Sequence, residues 1–215
     1  MSITGQEIRR IITPLRLIFW GGLICVFDFK INEFDLLNDF VGMIMITWGV
    51  IQVSKVNVHD RYSMAMLFVK IVAVLTSLEA LQEHFAYRIP EFLTIMLYVI
   101  GVASMLATVV FCVAMRWLSS EATLERSVRS WKTTTILFSV IYLIPLGIFY
   151  CAAAVAIAIG ETIDVDLGLA GLLLLPLLLL PLIHFFVSTS RIKKEAEIRS
   201  DAGQQNARHH HGKKA

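Results

Sequence analysis

Six long runs of apolar residues alternate with short polar connections along this chain. Each run is longer than a buried strand and apolar on every face, so none reads as the half-wet helix of a soluble domain. A helix needs about 20 mostly apolar residues to cross the roughly 30 Å hydrocarbon layer of a bilayer. The runs predict spans over about 11–27, 36–56, 62–82, 92–116, 133–159 and 167–190. The expected fold is all-α: an integral membrane bundle of six transmembrane helices over 1–190. Residues 191–215 form a basic cytoplasmic tail, helical for a short extension after Arg191 and disordered beyond it.

Local residues refine this picture. Pro14 falls in the first turn of the first span, where a missing backbone donor costs little. Gly101, Ala103, Ser104, Ala107 and Thr108 in the fourth span suit close helix contact, as do Ala152, Ala156 and Gly160 in the fifth. Pro145 interrupts the fifth span, and Pro176 and Pro181 should bend or loosen the sixth. Between the fourth and fifth spans, the stretch holding Trp117, Arg126, Arg129, Trp131 and Lys132 predicts a short interfacial helix. Arg9 and Arg10 before an apolar run resemble a signal sequence, but a small-x-small cleavage site is missing, so an uncleaved first helix is expected.

Composition agrees with a membrane protein. Of the 215 residues 57% are hydrophobic and 17% charged, and the mean hydropathy is +0.71; soluble domains average roughly 45–50% and about 25%. Charge then orients the bundle. Of 19 lysines and arginines, 16 fall in the N-terminal arm, the second and fourth connections and the tail, counting Arg16 just inside the first span. The other three connections hold only Lys30 and Arg88, and Lys70 lies within a span. Positive residues are retained on the cytoplasmic side of short loops, which predicts both termini inside.

Four features are candidates for chemistry. The first outer loop carries Asp28, Glu33, Asp35 and Asp39, enough oxygen ligands in principle for a divalent cation at the outer surface. Its spacing lacks the alternation of a dedicated calcium loop, and Asp35 or Asn38 equally suits the N-cap of the second span. Lys70 and Glu79 in the third span are candidates for an ion or proton path, since ionisable groups inside a span are costly. Nine residues apart, they sit on opposite faces of one helix, and the long stem of Lys70 can reach the inner headgroups. His59 and His184 form a candidate pair near the inner surface; the transmembrane haem pattern would need a second pair. Arg126, Arg129, Lys132, Arg191, Lys193 and Lys194 make a basic cytoplasmic face suited to anionic lipid headgroups or a protein partner. Interleaved aromatics are missing from the tail, so nucleic acid is not an expected partner. Cys25, Cys112 and Cys151 lie in apolar runs and read as small buried hydrophobes.

The segment from Asp28 to Gly42 resembles one that recurs in small uncharacterised bacterial membrane proteins. Asp28, Lys30, Ile31, Phe34, Asp35, Phe40 and Gly42 match its pattern, while Asn38 stands where many of those proteins have proline. The resemblance covers about 18 residues of 215 and implies a bacterial inner-membrane protein, with no catalytic assignment.

No phosphate-binding loop, nucleophile elbow or paired metal motif accompanies these features. The function expected from sequence is that of a non-catalytic accessory or structural subunit of a membrane complex, with no cofactor and with lipid and other membrane proteins as partners. The alternative is a small transporter or channel using Lys70, Glu79 and the proline-broken sixth span. A third class is a membrane enzyme with an outward carboxylate site in the first loop.

Overall fold

The computed structural model describes residues 5–26, 30–31, 34–35, 39–85, 91–159 and 168–212. Within them the chain is helical apart from one minimal hairpin and short turns, chiefly at 54–59 and 122–124. The helices are α1 (Gly5–Val26), α2 (Asp39–Val53), α3 (Asp60–Phe85), α4 (Glu91–Glu121), α5 (Glu125–Leu137), α6 (Ile144–Ala158) and α7 (Gly168–Gly212). A π-helical turn, Phe138–Leu143, joins α5 to α6. The strands β1 (Lys30–Ile31) and β2 (Phe34–Asp35) pair antiparallel, Lys30 opposite Asp35.

Among the described residues, three helical stretches are long and apolar enough to cross a membrane: Asp60–Leu81, Met96–Glu121 and Glu125–Ala153. α2 is apolar but has only 15 residues, or about 22 Å, short of a full crossing. It ends at Val53 rather than at the expected residue 56 because Ser54 and Lys55 turn the chain. There Lys55 N–H bonds Gln52 O and Val56 N–H bonds Val53 O.

Three other expectations change. α1 begins at Gly5, so Pro14 is inside the helix rather than in its first turn. α5, the π-helical turn and α6 are contiguous from Glu125 to Ala158, so the short helix expected between the fourth and fifth spans is present as α5 but continues into the fifth. Pro145, which has no N–H to give to a preceding carbonyl, lies just past the π-helical turn. The wider turn, in which Ile144 N–H reaches back to Ser139 O, absorbs that irregularity without breaking the rod. Finally, α7 runs unbroken through Pro176 and Pro181 and on to Gly212. Helix therefore covers most of the tail that composition assigned to disorder.

The most deeply buried side chains gather at one end of the bundle. Ile11 and Leu15 of α1, Val53 of α2, Tyr62 and Met66 of α3, Met115 and Leu118 of α4, Trp131 of α5 and Ile192 of α7 are all buried. Elsewhere the helices carry large apolar side chains outward, among them Leu78, Val99, Ile148 and Val155, each more than half exposed. Such a surface is stable against hydrocarbon and unstable against water.

α1 and α2 approach through glycines. A Cβ on Gly42 would lie 2.6 Å from Cys25 Sγ and 2.8 Å from Gly21 O, and one on Gly49 would lie 2.8 Å from Pro14 O. Only hydrogen fits at these points, which lets the two backbones touch. The small faces expected on the fourth and fifth spans are used more loosely. Gly101 packs on the Tyr150 ring, Ala156 is buried with Ala153, and Ala152 is exposed.

Candidate functional site

Two features stand out: a polar seam between α5 and α7, and a half-open apolar cavity among the helices. The seam begins where the chain reverses between α4 and α5. Thr123 takes a left-handed backbone conformation, φ 55°, while Leu124 N–H bonds Ser119 O at 2.9 Å. This is the helix-ending arrangement that glycine usually makes. Leu124 then stands at the N-cap of α5 and offers no side-chain cap.

The cap comes from α7 instead. One carboxylate oxygen of Glu195 accepts from Arg126 N–H at 3.0 Å. The other accepts from Ser127 N–H at 2.9 Å and from the Ser127 hydroxyl. A negative group here satisfies orphan donors and complements the positive end of the helix dipole.

Further along the same interface, Ser130 Oγ lies 2.8 Å from Ser188 Oγ, and Ser188 Oγ lies 2.8 Å from Thr134 Oγ1. Thr134 Oγ1 is in turn 2.9 Å from His184 Nδ1. Ser130, Thr134 and Ser188 are fully buried. Their spacing explains the contact: Ser127, Ser130 and Thr134 share one face of α5, and His184, Ser188 and Glu195 share one face of α7. Chemically the seam joins two helices through groups that satisfy one another.

The cavity has a volume of about 220 Å³ and is bounded by α1, α2, α3, α4, α7 and the π-helical turn. Its wall is aliphatic and aromatic except for the hydroxyls of Thr76, Ser104 and Thr108. Phe111 and Phe185 line one side and pack on Trp131 behind them, Trp131 meeting Phe185 edge-on at 5.2 Å. The buried Trp131 Nε1–H has no acceptor among the described residues.

The residues singled out from sequence are distributed differently. His59 accepts from Tyr62 N–H at 3.0 Å through Nδ1, capping α3, and its ring packs on Trp117. His184 belongs to the α5–α7 seam, so the two histidines serve separate contacts and no bond or ring contact joins them. Lys70 and Glu79 are both half-buried on α3, and neither is among the residues lining the cavity. Ser77 on the same helix bridges to α2, 2.7 Å from Thr47 Oγ1.

Around the loop that precedes α2, Asp39 opens that helix and is exposed, and Asp35 pairs through its backbone in β2. Asp28 and Glu33 lie outside the described residues, as does the side chain of Asp35. Among the described residues no three histidine, cysteine, aspartate or glutamate side chains converge as a metal site. Arg126, Arg129, Lys132, Arg191 and Lys194 are exposed. Arg129 lies 3.9 Å from Glu125, and the half-exposed Lys193 lies 3.7 Å from Glu197. Both pairs are surface contacts worth little.

Sequence reasoning missed Glu195, the hydroxyl seam and the α1–α2 glycines. A faint signal for the seam existed in the Ser/Thr repeat at 127, 130 and 134. Nothing local pointed to Glu195. Comparison with known protein families, with curated protein sequences and with solved structures finds no match for this chain.

Proposed function

We propose that this chain is a non-catalytic, multi-pass protein of the bacterial inner membrane, acting as an accessory or structural subunit of a larger membrane complex. Six spans with both termini cytoplasmic suit the charge distribution along the sequence. On this reading, the first two turns of α5 and the second half of α7 lie at the cytoplasmic surface, their exposed arginines and lysines meeting anionic headgroups and a protein partner.

The observation that carries the proposal is the Glu195 clamp. It holds α7 against the first turn of α5, and beyond that point α7 continues as helix to Gly212. Seventeen further residues correspond to about 25 Å of rod. A helix held in one direction at its root is suited to presenting a fixed contact. His184 and the hydroxyls of Ser127, Ser130, Thr134 and Ser188 are used in packing α5 on α7, which supports a structural role. The transporter alternative has no comparable support, since Lys70 and Glu79 stand apart from the cavity.

Native electrophoresis of gently solubilised membranes tests the proposal. The full chain should migrate in an assembly larger than the monomer. A version ending at Ile198 should fold equally well and leave that assembly. Migration of the full chain as a monomer at every detergent-to-lipid ratio refutes the subunit reading.

A further inference from the structure

The cavity between the helices has a chemistry of its own. At about 220 Å³ it exceeds the roughly 150 Å³ apolar cavity that suffices to hold benzene. Its three polar groups are specific in what they offer. Thr76 Oγ1 donates to Val72 O at 2.9 Å, Ser104 Oγ to Gly101 O at 2.7 Å and Thr108 Oγ1 to Ser104 O at 3.0 Å. Each hydroxyl has spent its hydrogen on its own helix, so each presents only lone pairs to the space. The helical backbone donors around it are likewise committed. Trp131, one layer behind Phe111 and Phe185, is not part of the wall.

We propose that this cavity is a binding site for a small, neutral, lipid-soluble alcohol of single-ring size, a phenol being the simplest member of the class. An apolar wall rejects ions, whose desolvation nothing here repays. A wall with acceptors and no free donor favours an occupant that brings one O–H. The ring fits against Phe111, Phe138 and Phe185, which also line the space. Such molecules partition into hydrocarbon, so the site is supplied from the bilayer. Supply by that route rests on the proposed membrane location, whereas the site is independent of the subunit role.

The test uses the full chain in lipid nanodiscs with a diazirine-bearing phenol as photolabel, mapped by mass spectrometry, and with phenol and toluene as competitors. Label is expected on the segments around Thr76 and Thr108, saturably. Phenol should compete about threefold to tenfold better than toluene, the worth of one hydrogen bond. In Thr76→Val/Ser104→Ala/Thr108→Val that preference should fall towards unity while toluene competition persists. Ala107→Leu, which fills the space from a buried position, should reduce labelling about tenfold or more, as expected for lost cavity volume. Label confined to lipid-facing residues such as Val155 overturns the site while leaving the membrane reading intact. Toluene competing as well as phenol on the wild-type chain overturns the alcohol preference, and that comparison stands even where Ala107→Leu fails to fold.

Discussion

Glu195→Ala tests the account of how α7 is held. The substitution removes the only cap on α5 seen among the described residues. It leaves Arg126 N–H and Ser127 N–H without their acceptor. Ser127 is fully buried, so its amide cannot turn to water as that of exposed Arg126 can. Losing a helix N-cap costs about 0.5–2 kcal/mol, and stranding a buried donor costs about 1–3 kcal/mol. These overlap, because the same amides are counted in both, and a net loss of about 2 kcal/mol is expected. Glu195→Gln keeps one acceptor but no charge and should lose about half as much.

Hydrogen exchange of the 125–128 amides reads the effect where it occurs. A local loss of about 2 kcal/mol corresponds to roughly 30-fold faster exchange at Ser127. Glu197→Ala is the matched control, since that carboxylate makes only a half-exposed pair with Lys193 and should change exchange by less than about twofold. Unaltered exchange at Ser127 in Glu195→Ala would refute the clamp and remove the main support for a fixed α7.

Other substitutions probe separate contacts. Gly42→Ala places a methyl 2.6 Å from Cys25 Sγ and 2.8 Å from a backbone carbonyl; a loss of about 1–3 kcal/mol in denaturant titration of mixed micelles is expected. Gly147→Ala, with nothing within 4 Å of the new methyl, should instead gain about 0.5–1 kcal/mol in the same titration. Thr123→Gly relieves a β-branched residue held at positive φ and should raise stability by about 1 kcal/mol in the same titration. Thr134→Val strips a shared partner from Ser188 and His184, with an expected cost of about 0.6–2 kcal/mol by the same measurement.

The sequence by itself determined that the chain is helical and which stretches are long and apolar. Prolines marked irregularity unevenly: a π-helical turn precedes Pro145, whereas α7 runs unbroken through Pro176 and Pro181. In hydrocarbon the backbone must satisfy its own hydrogen bonds locally, so composition and length decide helix formation residue by residue. Helix ends were less legible: α2 stops at Val53, and α5 runs on into the π-helical turn and α6. Tertiary structure decided which groups meet. Glu195 caps a helix that begins 70 residues earlier because packing brings α7 alongside α5, and no periodicity along either helix specifies that encounter. The glycines at 21, 42 and 49 acquire meaning only once two helices touch, and a cavity belongs to no single helix. Helix formation is written in near neighbours, whereas these features arise from surfaces that become neighbours only on packing.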